Sequence, residues 1–291
     1  MIRSEYRRNG EIFPDTPWPE GMRRVALAVE YNGGAFHGFQ TQRSGVVTVQ
    51  QSLEQALSAV AAEPITLVCA GRTDAAVHAT GQIVHFDTLA QRPMKAWIQG
   101  TRAHLPHGIS VRWAQEVPPG FHARFSARSR TYRYLISDRP SYCALLHDQV
   151  TWSRHTLAVD KMRRAAEALV GEHDFTSFRA SQCQAKSPVR RIEHLHIVRR
   201  GELIVLEIKA NAFLHHMVRN IVGVLMSVGA GHAPESWAAE VLAARDRTSG
   251  GITARPFGLY LVAVDYARHW ALPGLVPGPL FLSDPVGGLL E

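Results

Sequence analysis

Residues 69–82, CAGRTDAAVHATGQ, set Arg72 and Asp74 two apart among small neutral side chains, and these are the only formal charges between Glu63 and Asp87. Two readings fit. Asp and Thr bond their own backbone and punctuate loops, so a plain turn accounts for the pattern. A carboxylate held still and kept ionised by a guanidinium is also a competent covalent catalyst. Arg72, or an arginine brought in by the fold, could supply that guanidinium. Arg219 is the one basic residue in the core of an apolar run at 215–231, HHMVRNIVGVLMSVGAG. A snorkelling arginine is its ordinary role, and a partner for Asp74 its functional one.

Basic residues interleave with aromatics in one stretch. Between Val117 and Ser137 there is no acidic residue, yet Arg124, Arg128, Arg130 and Arg133 alternate with Phe121, Phe125, Tyr132 and Tyr134. Lys186, Arg190 and Arg191 form a second cluster, with Arg199 and Arg200 at a nearby hairpin tip. Arginines beside aromatic faces suit phosphate contact and base stacking, the RNA mode in particular. A solvated basic face is the plainer reading of either cluster alone.

Other chemistries lack their residues. There is no H-E-x-x-H, and no H-x-E with C-x-x-C; His215 and His216 are adjacent and cannot share a helix face. His78 and His85 lie across a turn and make a poor ligand pair. No phosphate-binding G-x-x-x-x-G-K-[ST] or G-x-G-x-x-G opens a helix. The glycine-rich YNGGAFHGFQ at 31–40 reads as a simple turn, with Phe36 and Phe39 as conceivable stacking surface. With no metal or cofactor expected, the reactive group must be a side chain.

The elements that position these groups follow from periodicity. VALAVEY (25–31) alternates as a strand, and TVQQSLEQALSAVA (48–61) has helical spacing with a Thr48–Gln51 capping box. Strands near 65–69 and 81–87, an amphipathic stretch at 94–105 and a strand near 109–117 complete a β-α-β-β-α-β order. It recurs as a strand at 130–136, a helix at 158–169, a hairpin over 192–210, a helix at 215–231 and a strand at 259–266. The expected fold is α+β: two ferredoxin-like βαββαβ halves side by side, forming an extended antiparallel sheet with a central cleft. The expected divisions are an N-terminal arm (1–22), one half with the Asp74 loop (23–120), a second half (121–267) and a tail (268–291). Both flanks, rich in Pro and Gly, read as irregular.

Length and charge agree. The 291 residues carry 32 Lys and Arg against 25 Asp and Glu, and a pI near 9.7 points to a polyanionic partner. Three well-separated cysteines suit a reducing compartment rather than a structural zinc site. The polar N-terminus lacks a signal core, and no apolar run reaches membrane-spanning length. A cytoplasmic protein is expected.

Taken together, EYNGGAFHGFQ (30–40), AGRTDAAVHATGQIVHFD (70–87), FHARFSARSRTYRYLI (121–136), GEHDFTSFRA (171–180), ANAFLHHMVRNIVGVLM (210–226) and GLYLVAVDY (258–266) resemble the bacterial tRNA pseudouridine synthases of the TruA type. The resemblance spans Val25 to Tyr266. It implies isomerisation of uridine to pseudouridine at positions 38, 39 and 40 of the tRNA anticodon arm, by a homodimer without cofactor or metal. It further implies that Asp74 is the nucleophile, Tyr132 the ring stacked on the target base and Arg219 the basic partner of Asp74. Arg72, His78 and Arg124 join Tyr132 as expected substrate contacts. Two positions depart from the pattern. Ala76 stands where glycine is usual, so its backbone must avoid positive φ or accept strain. Arg255 and Phe257 replace smaller or different residues. A non-catalytic RNA-binding protein on the same fold, or a synthase of another RNA site, are the alternatives; an inert binder has no use for Asp74, Tyr132 and Arg219 together.

Overall fold

The computed structural model describes residues 5–8, 11–14 and 18–282. They divide into two compact units, one running to Arg128 and resuming at Leu261–Pro279, the other comprising Ser129–Tyr260 and Leu280–Leu282.

The first unit begins with a hairpin, β1 (Glu5–Arg8) against β2 (Glu11–Pro14), antiparallel with Arg8 opposite Glu11. This corrects the expectation of an irregular arm. Then come β3 (Arg23–Tyr31), α1 (Val49–Ala61), β4 (Val68–Cys69), β5 (His78–Thr88), α2 (Met94–Arg102) and β6 (Ile109–Val117). Thr48 caps α1, its hydroxyl accepting from the Gln51 N–H at 3.3 Å, as the capping box requires. β4 is shorter than its expected span. β5 begins at His78, earlier than expected, because the polar His78, Thr80 and Gln82 are buried in the strand and break its hydrophobic alternation.

Both faces of this unit's sheet are covered. Leu53, Leu57 and Trp97 of the two helices are fully buried, and Trp97 meets Phe86 edge-on at 5.0 Å. On the other face Ala26, Ala28, Ile83 and Trp113 gather around Phe121 and Trp270. Each large apolar side chain taken from water there contributes about 1.5–3 kcal/mol. The segment after residue 267 therefore docks rather than wanders. Trp270 packs on Phe121 at 5.3 Å, and the Gly278 N–H donates to the Thr80 hydroxyl at 3.2 Å. Residues 283–291 of the expected tail lie outside the described residues.

The second unit contains β7 (Ala127–Ser137, from Ser129), β8 (Thr151–Trp152), α3 (Val159–Glu167), β9 (Gly171–Asp174), β10 (Val189–Arg200), β11 (Leu203–Ala210), α4 (Met217–Gly229) and α5 (Trp237–Ala244). β12 (Leu259–Tyr266) contributes its first two residues here and the rest to the first unit. β8, β9 and α5 are additions the periodicity does not signal. The hairpin of β10 and β11 pairs from Ile192 with Ala210 to Arg200 with Leu203. Ion pairs brace this unit: the buried Arg133 with Glu207 at 2.7 Å, and the exposed Arg199 with both carboxylate oxygens of the buried Asp138.

In the first unit the four main strands run in the spatial order fourth, first, third, second, β6-β3-β5-β4, and in the second unit β7, β11, β10 and β9 lie side by side in that order. Antiparallel strands with two helices in the first unit, and two helices plus the added α5 in the second, make the ferredoxin-like arrangement expected for an α+β chain. No helix among the described residues is long and apolar enough to cross a membrane.

Candidate active site

Asp74, Arg72, His78 and Arg124 belong to the first unit, Tyr132 and Arg219 to the second.

Asp74 sits half-buried in the loop between β4 and β5. Its carbonyl accepts from the Val77 N–H at 3.2 Å, and Ala76 adopts φ +62°. Positive φ at the third position of such a turn is the type II signature. Ala76 therefore accepts the strain, the second of the two alternatives its sequence position allowed. The turn that the sequence allows is present, with Asp74 as its first residue.

The loop is fixed from several sides. The Phe39 N–H donates to the Thr73 carbonyl at 3.0 Å, and the Ala76 N–H to the Phe36 carbonyl at 3.3 Å. The Tyr31 and Thr73 hydroxyls bond at 2.8 Å. Gln82 Nε2 donates to the Gly71 carbonyl at 2.6 Å, and the Gly71 N–H donates to Gln82 Oε1 at 3.3 Å. A Cβ at residue 33 would overlap the Val77 carbonyl, and one at residue 38 would stand 3.0 Å from the Thr73 carbonyl oxygen. The glycines of YNGGAFHGFQ thus let a second backbone lie against the Asp74 turn. Phe36 and Phe39 are buried in that contact and offer no stacking surface.

Arg72 is exposed and makes no ion pair among the described residues. His78 is buried, with Nδ1 accepting from the Gly33 N–H at 3.0 Å, and takes part in the packing of the loop. His78 and His85 lie on one strand rather than across a turn.

Arg124 lies in the turn after Phe121. The His122 ring stacks on Phe125 at 4.4 Å, and the Arg124 guanidinium stands 5.5 Å from the Phe125 centroid. His122 Nδ1 accepts from the Arg124 and Phe125 N–H groups, each at 3.2 Å. Burial, with Arg24 and Arg124 nearby, brings the His122 pKa down to about 4. Burial likewise holds His85 well below the usual histidine range while its Nδ1 accepts from the Ala123 N–H.

Part of the aromatic and arginine stretch is structural. Phe121 and Tyr134 are fully buried, and Arg133 is committed to Glu207. Burial raises the Tyr134 pKa, and its hydroxyl donates to the Arg255 carbonyl at 2.7 Å. In the second cluster Arg199 is taken by Asp138, and Arg190 Nη1 donates to the carbonyls of Ser187 and Val189. Phe125, Arg124, Arg128 and Arg191 remain at the surface.

Tyr132 lies on β7 opposite Ile208, largely buried, with its ring edge-on to Phe213 at 5.1 Å. Arg219 is half-buried in the first turn of α4, and its Nε donates to the Ala254 carbonyl at 2.9 Å. His215 and His216 precede the helix. His216 is its αL cap at φ +63°, which brings the two rings to 4.0 Å although neither histidine is helical.

A family model described as tRNA pseudouridine synthase matches residues 27–126 and 165–267. The chain is 59% identical over 263 residues to tRNA pseudouridine synthase A of Pseudomonas aeruginosa, covering 90% of this chain and 92% of that protein. The protein of the same name from Klebsiella pneumoniae is 56% identical over 261 residues, covering 90% and 96%. That from Alcanivorax borkumensis is 55% identical over 263 residues, covering 90% and 98%.

Proposed function

This chain belongs to the tRNA pseudouridine synthase family, a family of isomerases, and from that premise we propose that it converts uridine to pseudouridine at positions 38, 39 and 40 of the tRNA anticodon stem-loop, with Asp74 as the nucleophile. The observation that carries this reading is the Asp74 turn, held on both flanks by hydrogen bonds with Phe39, Phe36 and Gln82. A backbone fixed this way leaves only the side-chain torsions of Asp74 to be ordered at the moment of reaction.

The reaction breaks the N1–C1′ bond, rotates the base and joins C5 to C1′; the proton on C5 leaves and N1 gains one. No electron is gained or lost. Neither N1 nor C5 is reachable inside a helix, so the base must leave its stack, at a cost of a few kcal/mol. Tyr132 stacking on the base offsets about 1–3 kcal/mol of that. Asp74 either adds to C6 of the base or removes the C2′ proton as a glycal forms. Arg219 is the basic partner that keeps the carboxylate ionised. Arg72 and Arg124, both exposed, contact the RNA backbone. The protein works as a homodimer in the cytoplasm, without cofactor.

The test is tritium release from 5-tritiated uridine in unmodified tRNA, followed by mapping of the modified positions. Release with pseudouridine at 38, 39 and 40 is expected. Pseudouridine only at other positions would overturn the substrate, and binding without release would favour an inert RNA-binding protein.

A further inference from the structure

Arg219 is tied to one residue of a distant segment twice. Its Nε donates to the Ala254 carbonyl at 2.9 Å, and the Ala254 N–H donates back to the Arg219 carbonyl at 3.1 Å. The first bond directs a side chain that otherwise has about 2 kcal/mol of rotamer freedom, and the second ties the backbone that supplies the acceptor to the helix.

The segment that supplies this carbonyl, residues 252–257, is itself clamped. The Thr253 hydroxyl donates to Asn220 Oδ1 at 2.6 Å, and Asn220 Nδ2 donates to the Phe178 carbonyl at 2.7 Å. Arg247 Nη2 reaches the Thr253 hydroxyl at 2.9 Å and Asn220 Oδ1 at 3.2 Å. Tyr134 holds the Arg255 carbonyl, and Thr151 the Phe257 carbonyl. A Cβ at residue 223 would overlap the Ile252 carbonyl oxygen, so Gly223 lets the segment lie directly on α4. Arg255 and Phe257 are tolerated because the fold uses their backbone carbonyls.

Asn220 is 1% exposed, next to Arg219 in an otherwise apolar helix. A buried amide is costly unless bonded, and this one accepts from Thr253 of the segment that holds Arg219 while its NH2 donates to the Phe178 carbonyl. We infer that Thr253 and Asn220 are positioning residues for the reaction: they set the Ala254 carbonyl that aims the Arg219 guanidinium. This rests on the reading of Arg219 as the partner of Asp74.

The test is a double-mutant cycle between Thr253→Val and Arg219→Ala, with Thr253→Ser as the conservative control. It is read as the single-turnover rate at saturating tRNA, alongside tRNA affinity and melting temperature. Valine keeps the shape and loses the hydroxyl. Misplacing a reacting group by about 1 Å can cost on the order of 100-fold, so Thr253→Val should slow turnover by roughly 10- to 100-fold with affinity unchanged. Thr253→Ser should restore most of the rate. In the Arg219→Ala background Thr253→Val should cost nothing further, because the group it aims is gone. Equal slowing in both backgrounds, or wild-type turnover by Thr253→Val, would overturn the positioning role and leave Arg219 in place. Wild-type turnover by Arg219→Ala would instead overturn the reading of Arg219 itself, and the positioning role with it.

Discussion

Gln82 grips Gly71 at both of its backbone groups, donating from Nε2 to the carbonyl at 2.6 Å and accepting the N–H on Oε1 at 3.3 Å. Gln82 is fully buried on β5, so the loop that carries Asp74 is anchored to the most protected strand of its unit. Gln82→Glu keeps the shape but turns the donor into an acceptor facing the Gly71 carbonyl. Leaving such buried groups unsatisfied costs about 1–3 kcal/mol. Urea unfolding should show that loss, and single-turnover assays a slower reaction with tRNA affinity intact. Unchanged stability and rate would show that the grip is dispensable.

Ala76 carries a left-handed backbone that costs a non-glycine residue about 1–2 kcal/mol. Glycine removes that cost but loses about 0.5–1 kcal/mol of chain entropy on folding. Ala76→Gly should therefore stabilise the protein by a few tenths to about 1 kcal/mol without slowing isomerisation. Ala76→Val, β-branched at the same φ, should destabilise it. Equal midpoints for all three proteins in urea would mean that the turn relaxes in solution.

Acid should loosen the Phe121–Ser126 turn first. The folded pKa of His122, about 4, lies below its ordinary value near 6.5, and that of His85 is also lowered. Between those pH values the unfolded chain binds more protons than the folded one. The stability these neutral rings contribute is complete above about pH 6.5 and drains away as pH falls towards 4. His122→Asn offers an acceptor that does not titrate, so melting temperature should fall less steeply over this window. An unaltered slope would remove His122 from the acid response.

The arginines at the surface should read out differently from those in ion pairs. Arg191 is exposed and its guanidinium makes no ion pair among the described residues. Arg191→Ala should flatten the slope of log K against log salt by about 0.7–0.9 if it meets a phosphate. Arg199→Ala should leave that slope alone but cost about 1.5–3 kcal/mol of stability, because it strips the buried Asp138 carboxylate of its charged partner. The reverse pattern would reassign the two.

Much of the architecture is legible in the chain because local signals and tertiary demands agree. The Thr48 cap, the 109–117 strand and the 259–266 strand all combine a clear apolar period with a clean boundary. β1 and β2 are hard to read because proline and charge surround the Asn9-Gly10 dipeptide, itself a hairpin signal. In the site, Asp74 stands out as the lone acid of a neutral run. The residues that hold it do not. Gln82 and Tyr31 act through backbone and hydroxyl contacts made across the fold, and Gly33 and Gly38 matter by what they lack. Arg199 read as a phosphate contact because its partner, Asp138, is 61 residues away in sequence.

The central claim is that Asp74 does the chemistry. Asp74→Asn keeps the shape and much of the hydrogen bonding of the turn, and asparagine serves turns as well as aspartate. Its neutral amide is a far poorer nucleophile or base. The decisive measurement is pseudouridine formed by Asp74→Asn at saturating tRNA, with melting temperature and tRNA affinity recorded on the same preparation. The expected result is folded protein that binds tRNA and forms no pseudouridine. Turnover within about tenfold of wild type, a difference of only about 1.4 kcal/mol in the barrier, would return Asp74 to the role of a turn residue and contradict the mechanism.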